Sequence, residues 1–266
     1  MVITTGRRAF DRDGRWTDDA PGPDAAAAVD SWLVDDGSVR GLERHEARFV
    51  RCCRTLLPGG NATRQSSFLA AVRTAVPAGG RWFPRIEAHS DPEKYVLWMR
   101  TAPPTEDTVA LWTSGEPDPR EHPGLKGPDL HMLSSLRGEA RAQGCDDALL
   151  LTPDGVLVEA AHSALVWWRG ADLCLPPSDL ARLPSVTSGI LVDLVRRDHR
   201  RVREERCRPE DLHEAEPWAL NALHGIRPVR WLCGRPSPSP RPGRLSHWRT
   251  ALDLAVVDHR DGAGVP

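Results

Sequence analysis

Only Lys94 and Lys126 are lysines among the 35 lysines and arginines of this 266-residue chain. A compositional pressure toward arginine leaves lysine most readily where arginine cannot replace it. The chief such role is an amine that must lose its proton and attack a carbonyl. Lys94 stands beside Glu93 and reads as a surface residue. Lys126 stands in GEPDPREHPGLKGPD (115 to 129), a stretch dense in Pro and Gly that reads as a junction between two lobes, where chemistry often sits. By residue type alone Lys126 is a loop lysine. The six cysteines show no CxxC spacing and read as reduced core residues, which argues against a zinc site. The basic run RRDHRRVREER (196 to 206) alternates into Glu204 and Glu205 and reads as a solvated helix end running into a strand.

The elements that must position these residues follow from periodicity. SWLVDDGSVR reads as two strands around Asp36-Gly37, and GLERHEARFVRCCRTL and SSFLAAVRTAV have the helical period. RWFPRIEAHS, KYVLWMRTA and TVALWTSG are strand candidates, so the first half reads as α+β with an antiparallel sheet. Beyond the junction come a helix closed by Gly144, a hairpin turned at Asp154-Gly155, a strand pair turned at Gly170 and the helix SVTSGILVDLVRRDH, with small polar residues at its start. A strand, a short helix, one or two further strands, a proline-rich spacer and the amphipathic helix LSHWRTALDLAVV complete the chain. Residues 1 to 30 read as a polar Pro/Gly/Ala-rich start.

The series LKGPDL, CDDALLLTPDGVLVEAAHSAL, RLPSVTSGILVDLV and ALNALHGIRPV resembles, in order and spacing, the class IV aminotransferase family, which includes branched-chain and D-amino acid aminotransferases and aminodeoxychorismate lyase. The resemblance covers residues 30 to 260. It implies a two-lobed α+β enzyme of fold type IV, with a small domain over 1–122 and a larger domain over 123–266 that has a pseudo-barrel β core flanked by helices. It also implies pyridoxal 5'-phosphate (PLP) as cofactor. Lys126 would form the aldimine with PLP and move the proton at the substrate α carbon, a task that needs an amine with a depressed pKa. Glu159 aligns with the glutamate that faces the pyridine nitrogen and keeps it protonated, although the strand pattern also allows it to point outward. Val186 and Thr187 align with the phosphate grip at a helix start, where Ser185 or Thr187 also reads as a plain N-cap. Asn221 and Ala222 match the segment closing over the phosphate. Arg48 in HEARF matches an arginine that reaches it from the small domain, and it also reads as a helix-surface arginine.

Four positions depart from the family pattern. Ser185 replaces a glycine, Ser188 an arginine, His131 a tyrosine and Ala164 an asparagine. The reaction therefore stays open between transamination of an amino acid with a 2-oxo acid and lyase chemistry giving 4-aminobenzoate and pyruvate. A non-catalytic binding protein on the same fold is the third reading. The resemblance implies an amino acid or an amino-chorismate-like small molecule as substrate, and a homodimer. A net charge of -2 argues against nucleic acid as a partner. The absence of long apolar runs and of an apolar signal core leads to the expectation of a cytoplasmic protein with no membrane partner.

Overall fold

A computed structural model describes residues 5–22, 26–90 and 93–260. The chain divides into two compact units, the first made of Met1–Pro104, Leu125–Pro128 and Val256–Pro266, the second of Thr105–Gly124 and Asp129–Ala255. Among the described residues no helix is long and apolar enough to cross a membrane.

The first unit runs β1 (Gly6–Phe10), β2 (Trp16–Thr17), β3 (Ala26–Ser31), β4 (Val34–Asp35), β5 (Ser38–Arg40), α1 (Leu42–Leu56), α2 (Ala62–Ala75), β6 (Arg81–Trp82), β7 (Arg85–Ser90) and β8 (Glu93–Met99). Five of these strands form an antiparallel sheet in the order β2-β1-β8-β7-β3, with β3 on its edge. Alternate residues of a strand share a face, so Ile86 and Ala88 on β7 and Tyr95, Leu97 and Met99 on β8 point the same way. They pack against the apolar stripe of α1 and α2, which supplies Phe49, Cys52, Phe68 and Val72. The β4–β5 hairpin turns through Asp36 (φ 43°) and Gly37 (φ 82°), the left-handed pair that two-residue hairpins need.

Three strands lie where the sequence suggested only a polar start. Alanine has little preference for strands, so AAAVDS gives no local signal for β3. Long-range pairing with β7, from Ala26 opposite His89 to Ser31 opposite Arg85, recruits it. Helix α2 also starts earlier than the SSFLAAV period indicated, because Asn61 Oδ1 accepts the N–H of Arg64 and caps it.

The second unit runs β9 (Val109–Trp112), α3 (Leu130–Ala142), β10 (Asp147–Leu151), β11 (Leu157–Ala160), β12 (Ala164–Arg169), β13 (Asp172–Leu175), α4 (Val186–Arg197), β14 (Val202–Glu204), a 3-10 turn (Pro209–Glu214), β15 (Glu216–Asn221), β16 (Gly225–Leu232), β17 (Arg235–Pro236) and α5 (Arg244–Leu254). Its mixed sheet has the order β11-β10-β9-β16-β15-β12-β13-β14, with β17 added beside β16. Strand alternation sorts the core. Leu165, Trp167, Ala219 and Val229 meet Leu111, Leu149 and Leu157 in one cluster. Val166, Trp168, Trp218, Leu220 and Ile226 pack instead under Ile190, Leu191 and Val195 of α4 and Trp248 and Leu252 of α5. Each such aliphatic or aromatic side chain contributes roughly 1.5–3 kcal/mol when fully buried.

The terminal helix is shorter than its amphipathic pattern suggested. It ends at Leu254, and Val256–Asp258 forms β18, antiparallel to β5 of the first unit. β-Branched valines side by side favour the extended chain over another helical turn.

Candidate active site

In the second unit, β11 carries Glu159, whose side chain is only 6% exposed. One oxygen, Oε1, accepts from Arg120 Nη1 at 2.7 Å and from the Leu183 backbone N–H at 2.9 Å. Neither bond uses Oε2. Arg120 in turn donates from Nε and Nη2 to Asp118, with Nη2 2.7 Å from Oδ2, so the guanidinium bridges two carboxylates. Burial pushes the Glu159 carboxyl up from the usual carboxylate range, while the charge of Arg120 and the Leu183 N–H pull against it. The carboxylates beside Arg120 hold its guanidinium firmly protonated against the opposing effect of burial.

Leu183 leads directly into α4. Ser185 is the N-cap, its Oγ accepting the N–H of Ser188 at 3.3 Å. The first N–H groups of a helix have no acceptor within it, so those of Val186 and Thr187 remain for another partner, with the dipole favouring an anion there. Val186 and Thr187 are both buried, and α4 packs on β15, the strand that ends at Asn221. The Asn221 side chain turns back on its own loop. Its Oδ1 accepts the N–H groups of Leu223 and His224, and its Nδ2 donates to Ser163 Oγ and the His162 carbonyl. Ala222 lies in the turn between β15 and β16.

Lys126 lies in the short stretch Leu125–Pro128 that belongs to the first unit. The Val29 N–H of β3 donates to its carbonyl at 2.9 Å, and its own N–H donates to Cys52 Sγ on α1 at 3.4 Å. Arg48 lies on the same helix, and it is buried rather than a surface arginine. It forms a fork with Asp30 of β3, Nε to Oδ2 and Nη2 to Oδ1, each at 2.8 Å. His45 Nδ1 also meets Asp30 Oδ1 at 2.8 Å. Burial lowers the His45 pKa, the Asp30 carboxylate opposes that fall, and the positive charges of Arg48 and Lys126 add to it. Asp30 itself is held well below the usual carboxylate range by Arg48 and His45, against the cost of burial.

The structure thus groups Lys126, His45 and Arg48 in the first unit, and Glu159, Val186 and Thr187 in the second. Asn221 joins the second group through the packing of α4. Sequence reasoning missed Arg120, Asp118 and Asp30. Arg120 is one of 33 arginines and carries no local signal. Asp30 had one: it is an acid closing the small-residue run AAAAV, fifteen residues before a histidine and eighteen before an arginine on one helix face.

The donor set in the second unit suits a phosphorylated pyridine. Free helix-start N–H groups and the hydroxyl of Thr187 match a phosphate dianion, and a buried carboxylate with one oxygen held and one unengaged matches a ring N–H. Helix-start N–H groups are a ready anion site, and a carboxylate is the partner that a protonated pyridine nitrogen needs.

A family model described as amino-transferase class IV matches residues 27–232. A search of curated proteins finds no match to the chain. Among solved structures, the chain is similar to an aminotransferase from Mycobacterium tuberculosis described as hypothetical, in a form with alpha-ketoglutarate and PMP bound. Identity is 19%, covering 94% of this chain and 99% of that one, with a TM-score of 0.78. It is also similar to the branched-chain aminotransferase of the thermophilic archaeon Thermoproteus uzoniensis with norvaline, at 15% identity, 96% and 99% coverage and a TM-score of 0.80. The branched-chain amino acid aminotransferase of Escherichia coli aligns at 17% identity over 90% of this chain and 88% of that one, with a TM-score of 0.75. The fold expected from the sequence is the fold these aminotransferases share.

Proposed function

Because the chain belongs to the amino-transferase class IV family, we propose that it is a PLP-dependent transaminase that moves an amino group between an amino acid and a 2-oxo acid, with Lys126 as the residue that carries the cofactor. The observation that carries this reading is the anchoring of Glu159: Arg120 and Leu183 hold Oε1 and leave Oε2 for a protonated ring nitrogen. Fold neighbours with PLP or PMP bound support the same cofactor.

In this reading the α4 start, with the Val186 and Thr187 N–H groups and the Thr187 hydroxyl, holds the phosphate. Asn221 and Ala222 flank that phosphate. When bound, PLP supplies a carbonyl carbon for amines and a ring that accepts electrons from a breaking bond. Glu159 keeps a positive charge on the ring nitrogen by remaining ionised, which Arg120 favours. Lys126 would hold the cofactor through its amine, and the same amine would take the proton from the substrate α carbon.

The test is to incubate the purified chain with PLP, record the visible spectrum, and then add alanine or glutamate with a 2-oxo acid. The reading predicts a visible band that bleaches with the amino donor and returns with the acceptor. A spectrum without a visible band, or a band with no amino transfer to any 2-oxo acid, contradicts it. Release of pyruvate from aminodeoxychorismate without transamination would select the lyase reading instead. A homodimer belongs to the same proposal and is read from solution mass.

A further inference from the structure

We propose that Gly127 and Cys52 are positioning residues for Lys126: together they clamp its main chain between the free edge of β3 and the buried face of α1, and so set where its amine stands. The inference rests on the proposed role of Lys126.

The argument starts from the close approach of two backbones. A Cβ added at Gly127 would stand 2.0 Å from the carbonyl oxygen of Ala27, 2.9 Å from the Ala27 carbonyl carbon and 2.9 Å from Ala28 Cα. All three are main-chain atoms of β3, so no side chain can swing away to make room. β3 is the edge strand of its sheet, and an edge offers unpaired backbone groups. The Leu125–Pro128 stretch uses that edge, since the N–H of Val29 donates to the Lys126 carbonyl at 2.9 Å. Any residue with a Cβ at 127 must lift this stretch off the strand by the order of 1 Å and break that bond.

On its other side, the Lys126 N–H reaches Cys52 Sγ at 3.4 Å. Cys52 is fully buried on α1, in the cluster that joins the helix to the sheet. Its sulfur is a weak acceptor fixed in a packed core, so it supplies direction more than strength. The amine of Lys126 sits at the end of a flexible four-carbon stem, and a fixed main chain shortens the range of places it can reach. A displacement of 1 Å at a catalytic group costs on the order of 10²-fold in rate.

The experiment compares wild type, Gly127→Ala and Cys52→Ala as PLP-loaded protein. For each, the pH midpoint of the visible band, kcat, KM and thermal midpoint are measured. The expected result is a shifted band midpoint and weakened band in Gly127→Ala, with kcat lower by about 10²-fold and KM for the 2-oxo acid within about threefold. Cys52→Ala should fold, because it only trims a buried side chain, and should shift the same midpoint by a smaller amount. Cys52→Ser, which keeps an acceptor, should return it toward wild type. A destabilised but otherwise ordinary protein would lower the thermal midpoint and leave the band midpoint in place. The inference is overturned if wild type shows the band and the folded variants keep its midpoint and kcat. Should Gly127→Ala not fold, an unchanged midpoint in Cys52→Ala overturns it alone. Absence of the band in wild type would instead sink the proposed function.

Discussion

Replacing Arg120 by Met tests how Glu159 is kept ionised. The pair is buried, with side-chain exposures of 4% and 6% and a separation of 2.7 Å. A hydrogen bond to a charged group contributes about 1.5–3 kcal/mol to the ionised form. At 1.36 kcal/mol per unit, its loss raises the Glu159 pKa by about one to two units. Burial already pushes that pKa upward, and of the groups that oppose it the Leu183 N–H and the Arg182 charge would remain. Below its pKa the carboxyl is neutral and can no longer hold a charge on the ring nitrogen, so the acidic limb of the kcat profile should move to higher pH by the same one to two units. Folding stability should fall as well, by about 3–5 kcal/mol, since Asp118 and Glu159 both lose their buried partner. The assay is kcat against pH for wild type, Arg120→Met, Arg120→Lys and Glu159→Gln. Arg120→Lys keeps the charge but not the fork and should lie between the first two. Glu159→Gln should retain the cofactor, turn over slowly and lack the limb. A folded Arg120→Met variant with the wild-type limb would refute the reasoning.

Asp30→Asn should cost about 3–5 kcal/mol in denaturant melts, because Arg48 and His45 lose a buried carboxylate. Wild-type stability drawn from Asp30 is present above pH 4 and falls as acid titrates the carboxylate, a dependence the variant should lack. Ser185→Ala removes the α4 cap and should cost about 1 kcal/mol while weakening PLP retention on dialysis. His224, whose pKa burial lowers to about 4, stays neutral in the fold while the unfolded chain takes up a proton below pH 6.5. Stability should therefore drop as the pH falls from 6.5 toward 4, and His224→Asn should flatten that slope.

Much of this organisation is legible in the sequence where chemistry and period coincide. HEARFVRCC shows its buried stripe, Asp154-Gly155 and Gly170 mark real turns, and Ser185 at the head of an apolar period marks the start of α4. What stays hidden depends on distant partners. AAAVDS becomes a strand only through β7, and Asp30 becomes a buried acid only when that strand meets α1. Arg120 finds Glu159 thirty-nine residues away through a loop without periodicity. The placement of Lys126 on the edge of β3 was equally unreadable, because the Pro/Gly-rich junction has no pattern that says which unit it joins. The departure at Ser185 has a local account, since its Oγ caps α4 by accepting the Ser188 N–H, whereas Ser188 gives the cap only a backbone N–H that any residue has. Nothing in the structure explains His131 or Ala164 in place of the family residues.

The most direct test of the central claim is to load the protein with PLP, reduce it with borohydride, and map the modified peptide by mass spectrometry in wild type and Lys126→Arg. Arginine keeps the charge and cannot condense with a carbonyl. The account predicts a phosphopyridoxyl mass on Lys126 in wild type, with loss of the visible band and of transamination. It predicts no label and no transamination in Lys126→Arg. Label on Lys94 in wild type, or a Lys126→Arg variant that keeps both band and turnover, would contradict it.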